Sequence, residues 1–123
     1  MGEPIVYETI SFDNTSWEQT DWLGPGDPSG EFHHLLYEEP RTGALSLLIR
    51  FAPGYIGTSF EWHSVAQELF LIEGDLTHTG RELHAPAFIY VPAGAVHGNI
   101  SSKDGALLFV KVEGPLDMNY VEG

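Results

Sequence analysis

The residues best equipped for chemistry lie in EWHSVAQELFLIEG, residues 61–74, and at the end of PAGAVH, residues 92–97. Glu61, His63, Gln67 and His97 offer one carboxylate, two imidazoles and one amide oxygen. Glu61 and His63 stand at i and i+2, so on a strand they share a face. Gln67 follows a short turn and can fold back beside them. If His97 arrives from a strand across the way, the four can surround a divalent ion. Two imidazoles and a carboxylate with open positions suit non-haem Fe(II), the favoured metal, and the same donors accept Zn(II), Mn(II), Ni(II) or Co(II). The bland alternative is a set of polar side chains that only hydrogen-bond one another.

Other candidates are weaker. His78 shares strand parity with Leu76 and could enter a cavity as an extra ligand or proton shuttle, although a solvent-facing or merely hydrogen-bonded imidazole is the more ordinary role. Arg50 shares a face with Ser46 and Leu48 and would meet an anionic substrate if that face pointed inward. Tyr90, with Leu69, Leu71, Phe88 and Phe109, would wall an apolar pocket. His84 and Glu82 sit at a turn and read as exposed. His33 and His34 are adjacent, so at most one looks inward. Ser64 beside His63 makes no triad, because neighbours on a strand face opposite ways, and the chain has no P-loop, dinucleotide fingerprint or nucleophile elbow.

The elements that must position these groups are short strands between Gly/Pro turns. Strands are expected over Ile5 to Ile10, Glu31 to Glu38, Ala44 to Ala52, Glu68 to Glu73, Phe88 to Val91, Ala95 to Ile100 and Ala106 to Val112. Short arms are expected at Asp75 to Thr79 and Leu83 to Ala85, and a hairpin turn at Ser101 to Gly105. Gly24-Pro25-Gly26-Asp27-Pro28 cannot sustain a helix or a central strand. Trp17 and Trp22 in the preceding loop are expected to cap one end of a barrel. The tail from Glu113 is polar apart from Leu116, Met118, Tyr120 and Val121. No segment carries a helical period, so the fold class is all-β, a sandwich or barrel.

Composition narrows the function. The chain has 123 residues, enough for one domain, and a formal charge of −13 from 5 basic and 18 acidic side chains. That charge repels phosphate backbones and anionic lipid, so neither nucleic acid nor membrane is an expected partner. With no cysteine, disulfides and zinc–thiolate sites are ruled out. The N-terminus lacks the basic and apolar regions of a signal peptide, and no apolar run is long enough to span a membrane. The expected location is the cytoplasm.

These motifs resemble the cupins, small jelly-roll barrels built as a double-stranded β-helix. The first cupin motif runs Gly, five residues, His-x-His, three or four residues, Glu, six residues, Gly. Anchored on Gly74, its Glu slot falls on Gln67, its second His on His63 and its first His on Glu61. The second motif places Pro92, Gly94 and His97 at the required spacing, with Pro86 for the leading Gly and Ser101 for the trailing Asn. The resemblance covers about Leu45 to Val112. Upstream, Trp17, Trp22 and LYEEPRTGALSLLIRFAPG are similar to cupins related to the ChrR anti-sigma metal domain and to acetylacetone- and dihydroxyacetophenone-cleaving dioxygenases.

The resemblance implies one cupin domain over residues 1–123, with N-terminal strands and a Trp-containing loop (1–43), a core (44–112) and a tail (113–123). It implies metal at Glu61, His63, Gln67 and His97. Exchanging a His for Glu61 and the Glu for Gln67 moves the carboxylate and keeps the ligand charge at minus one. The implied activity is dioxygenase-type C–C cleavage of a small dicarbonyl, enol or phenolic substrate. A metal-dependent lyase, isomerase or polyketide cyclase is the second reading, and a non-catalytic metal- or ligand-sensing module the third. A homodimer, formed by adding the N-terminal strand to a neighbour's sheet edge, also fits.

Overall fold

A computed structural model describes residues 17–19 and 30–121 of the chain. Alternation of apolar and polar positions governs its central strands. In β11 (Ala106–Val112), Ala106, Leu108, Val110 and Val112 are buried. They meet β3 (Leu45–Phe51) on one side and β6 (Gln67–His78) on the other, both antiparallel. The register lines up Leu69, Val110 and Leu47 in one row and Leu71, Leu108 and Ile49 in the next. Each such side chain removed from water contributes about 1.5–3 kcal/mol, so these rows form the core that holds the sheet together.

The larger sheet runs β1 (Glu18–Gln19), β2 (Glu31–Glu38), β3, β11, β6, β10 (Ser101–Ser102) and β4 (Tyr55–Ile56), with β7 (Arg81–His84) and β8 (Ala87–Val91) also on β6. A three-stranded sheet carries β12 (Asn119–Val121), β5 (Phe60–Trp62) and β9 (His97–Gly98) in that order. All pairings are antiparallel. The chain folds as the expected all-β barrel, with the antiparallel sheets of a double-stranded β-helix.

β6 is the strand the barrel turns on. Straight, its 12 residues would span about 36 Å at ~3.3 Å per step. Its first half pairs with β8 and β11, and its second half with β7 and β10. The change of partners falls at Gly74, whose φ is +87° and where an added Cβ would come within 1.9 Å of the Gly105 carbonyl oxygen. Only glycine fits there. Just before it, the register against β11 slips by one residue. Such a bulge exchanges the two faces of a strand: Gln67, Leu69 and Leu71 are buried before it, Leu76 and His78 after it.

Several expectations change. The strand does not stop at Gly74 but bends there and continues. Ala95 to Ile100 contains only the two-residue β9, because Ala95 closes a turn onto Pro92 and Asn99 takes φ +53°. Ser101 and Ser102 belong to β10 rather than to a hairpin turn. The tail is part of the barrel: β12 pairs with β5. The strand expected at Ile5 to Ile10, Trp22 and the Gly24–Pro28 loop lie outside the described residues.

Candidate metal centre

Glu61 occupies the middle strand of the small sheet, opposite His97 on β9 and Tyr120 on β12. β5 alternates: Phe60 and Trp62 face solvent, whereas Glu61, and His63 just past the strand end, turn inward. Glu61, His63 and His97 are 2%, 2% and 5% exposed. Their ligating atoms all lie within 4.8 Å of one another. Glu61 Oε1 is 3.5 Å from His63 Nε2 and 3.9 Å from His97 Nε2. Gln67, the first residue of β6 and also buried, lines the same cavity.

Each imidazole is held from behind. His63 Nδ1 lies 2.6 Å from the Asp117 carbonyl oxygen. A carbonyl can only accept, so Nδ1 carries a proton and Nε2 is the atom turned to Glu61. The Asp117 carboxylate in turn accepts from the Ser64 N–H (2.8 Å), the Ser64 hydroxyl (2.6 Å) and the Asn119 amide (2.7 Å). These donors push its pKa down to about 2. His97 Nδ1 lies 2.9 Å from Nε2 of the buried His78.

Burial acts on all three imidazoles in the same direction, and their neighbours separate them. For His97, burial and then the adjacent His78 and His63 push the pKa down to about 3. For His78, burial alone lowers it. For His63, burial is opposed by the Glu61 carboxylate and the Asp117 carbonyl, and the net shift is upward.

The donor set fits a divalent ion. Glu61 Oε2 and His97 Nε2 are buried and have no hydrogen-bond partner among the described residues. Leaving such atoms unsatisfied is costly, and a cation on those lone pairs would remove the cost. Two imidazoles, one carboxylate and the nearby Gln67 amide are oxygen and nitrogen donors of the kind that hold Fe, Zn, Mn or Ni.

The donors open onto a cavity of about 40 Å³ walled by Leu47, Ile49, Leu69, Val110, Leu116 and Met118. Two features of this cavity are not legible in the sequence. Leu116 and Met118 reach it because the tail crosses the site, tied down through Asp117 and Asn119. Glu31, at the start of β2, is buried in the same wall and accepts a hydrogen bond from the Tyr55 hydroxyl at 3.1 Å. Its only signal was a charge opening an otherwise half-apolar strand.

The other candidates are placed elsewhere. Tyr90 and Phe88 are 53% and 50% exposed. The β6–β8 register puts them beside Glu68 and Phe70, on the outer face, because Gln67 and Leu69 take the inner one. Phe109 joins that outer cluster through Phe70 at 6.0 Å, and Leu71 belongs to the core. Of the expected wall, only Leu69 lines the cavity. Arg50 is also external, its guanidinium 4.7 Å above the Trp17 ring. Trp17 therefore packs on the outside of β3, with His34 at its edge. His84 and Glu82 are exposed, as expected, and face each other at 3.7 Å. His78 is buried beside His97 rather than turned to solvent.

The comparisons agree on the architecture. Residues 12–116 match the family profile described as the ChrR cupin-like domain. A provisionally named acetylacetone dioxygenase from Methylibium petroleiphilum PM1 superposes with a TM-score of 0.79 at 20% identity, covering 99% of this chain and 85% of that one. An acetylacetone dioxygenase from Acinetobacter johnsonii gives 0.72 at 19%, covering 96% and 80%. The polyketide cyclase RemF from Streptomyces resistomycificus gives 0.75 at 13%, covering 96% and 87%. At these identities the likeness is one of fold. Among curated proteins, no match was found. No helix among the described residues is long and apolar enough to cross a membrane.

Proposed function

Because this chain belongs to the ChrR cupin-like domain family, whose barrel here buries a Glu/His/His cluster, we propose that it is a divalent-metal enzyme acting on a small enolisable dicarbonyl or phenolic compound, with dioxygenase-type C–C cleavage as the reaction. The observation that carries this reading is the pair of orphaned buried atoms, Glu61 Oε2 and His97 Nε2, turned into one apolar cavity. Glu61, His63 and His97 would hold the ion, with the Gln67 amide oxygen as a neutral fourth donor. Fe(II) is favoured, since two imidazoles and one carboxylate leave positions open for substrate and oxygen. When bound, iron would supply the redox chemistry that lets an electron-rich enolate react with O₂.

The rest falls to the protein. The single negative charge of Glu61 offsets part of the ion's charge, and the neutral amide of Gln67 adds none. Leu47, Ile49, Leu69 and Val110 exclude water and favour a substrate whose non-chelating part is apolar. A cavity of about 40 Å³ is well below the roughly 300 Å³ at which ligand pockets usually begin, so the substrate is small or displaces the Leu116–Met118 wall. The Glu31 carboxylate, buried at the start of β2 and also lining the cavity, would receive the proton lost when the substrate enolises.

Metal analysis of protein purified without added metal, followed by oxygen uptake with a 1,3-diketone, tests the proposal. Iron near one equivalent with oxygen consumption is the expected result. Failure to bind any divalent ion, with His63→Ala and His97→Ala behaving like the parent, would sink it. A second reading, metal-dependent lyase, isomerase or cyclase chemistry, draws on Glu31, which supplies an acid–base group without redox chemistry. Zinc without oxygen uptake, but with turnover, would favour it. Metal binding with no turnover of any such compound would favour a sensing module.

A further inference from the structure

We infer that His78 is a positioning residue for the metal centre: it accepts the Nδ1 proton of His97 and so fixes His97 in the tautomer whose Nε2 lone pair faces Glu61. This rests on the metal reading above and assigns a role outside the ligand set. His78 Nε2 and His97 Nδ1 are 2.9 Å apart, both residues are buried, and the rings lie 34° from coplanar. One proton must sit between those two nitrogens, so the two tautomers are locked together.

The chain of bonds can run in two directions, and they are not equivalent. In one, His97 Nδ1–H donates to His78 Nε2, and His78 Nδ1–H donates to the Thr79 hydroxyl oxygen 3.2 Å away. His97 Nε2 is then a bare lone pair directed at the donor cluster. In the other, His78 Nε2–H donates to His97, and His97 carries its hydrogen on Nε2. That hydrogen would face Glu61 Oε1 at 3.9 Å, too far for a hydrogen bond. It would be a buried donor with no acceptor, an arrangement that folded proteins rarely keep. The first direction leaves only a lone pair to satisfy, and a cation satisfies it.

The backbone around His78 is built to keep the pair in place. Thr79 has φ +50°, a left-handed conformation that is rare outside glycine. Two bonds tie it to β9: the Thr79 N–H donates to the Gly98 carbonyl at 2.9 Å, and the Gly98 N–H donates to the Thr79 hydroxyl oxygen at 3.1 Å. Gly98 has φ +139°, and an added Cβ there would lie 2.3 Å from the Ser59 carbonyl oxygen. The strand end bearing His78 and the strand bearing His97 are therefore clamped by their own main chains. Imidazole ligands usually donate their second N–H to a carboxylate, carbonyl or water; here another imidazole takes that place, inward-facing because of the bulge in β6.

The test uses zinc as the probe, in the full chain. Zinc affinity is measured by competition with a chromophoric chelator for the parent, His78→Leu and His78→Gln. Nitrogen-15 NMR of the histidine rings reports which nitrogen of His97 bears hydrogen. His78→Leu, which removes the acceptor, is expected to weaken zinc binding by about 10- to 100-fold. His78→Gln, whose amide oxygen can accept the same proton, should recover most of that loss. In the zinc-loaded parent, His97 should show a protonated Nδ1 and a metal-shifted Nε2, and neither His78 nitrogen should show a metal shift. Parent-like affinity in His78→Leu, or a metal-shifted His78 nitrogen, overturns the inference alone. If the leucine variant does not fold, the ring spectrum of the parent still decides. No zinc binding by the parent overturns the metal reading, and this inference with it.

Discussion

The two imidazoles of the centre face the same carboxylate but are held by different kinds of support. His63 is anchored by main chain, through the Asp117 carbonyl of a tail that must cross the barrel to reach it. His97 is anchored by a side chain, His78, from the far end of β6. A carbonyl acceptor is indifferent to the residue that carries it, so it can be displaced but hardly mutated away. An imidazole acceptor is specific to one residue and vanishes with it. The sensitivity of the centre to substitution should therefore be lopsided: the His97 side fails at a point, and the His63 side only when a whole segment moves.

The largest effect should come from the group the two sides share. Glu61→Gln keeps the shape and removes the negative charge. Zinc affinity should fall by more than about 100-fold, beyond what loss of an outer hydrogen-bond partner usually causes. The metal-free protein should melt at the same temperature or higher, since a buried carboxylate with one unpartnered oxygen costs stability. Calorimetric melting with and without zinc checks both halves. A lower melting point without metal would mean that Glu61 serves the fold rather than the ion.

How much of this was legible in the sequence follows the same division. Short-range features carried through: the spans of β2 and β11 and the i, i+2 relation of Glu61 and His63 all come from local composition and spacing. Resemblance to the cupins supplied the fold. Features that need long-range register did not carry. Phe88-Ile89-Tyr90-Val91 is apolar on both faces, so nothing in it says that Tyr90 turns outward; the pairing of Phe70 with Phe88 decides that. His78 turns inward because of a bulge set by the partner strand β11. Asp117 looked like an ordinary charge in a polar tail, because its three donors come from Ser64, in the bend after β5, and from Asn119 on β12, which meet only when the tail returns.

Asp117 gives the second, smaller test of the contrast. Asp117→Ala removes the carboxylate that fastens the tail to Ser64 but leaves the carbonyl that meets His63. The tail should fray, and zinc affinity should drop by about 3- to 10-fold, short of the loss expected for a missing side-chain acceptor. Limited proteolysis should show faster cleavage after residue 114 in the metal-free form, with zinc restoring protection. A loss as large as that of His78→Leu would show that the main-chain anchor is no sturdier than the imidazole.

The smallest effect on metal, and the clearest on pH, belongs to Asp75, which braces the His97 side at a distance. It sits on β6 just past the Gly74 bend and accepts from the Lys103 N–H (2.9 Å) and the Asp104 N–H (2.7 Å). The Ser102 hydroxyl also donates to its carbonyl at 2.7 Å. Burial favours the neutral acid, but the two N–H donors and the Ser102 hydroxyl, also 3.4 Å from the carboxylate Oδ1, outweigh it and hold the pKa below its ordinary value of 3.8. A carboxyl with a depressed folded-state pKa adds stability above the unfolded value and loses it as pH falls below. Asp75→Asn should therefore cost about 1–2 kcal/mol near neutral pH, with zinc affinity changed less than about threefold because no contact to His78 or His97 is touched. Urea unfolding of both proteins should show the gap widest near pH 7 and narrowing once pH drops under 3.8. A gap constant with pH would assign the contribution of Asp75 to shape rather than charge, and would leave the distal half of β6 held by its strand pairings alone.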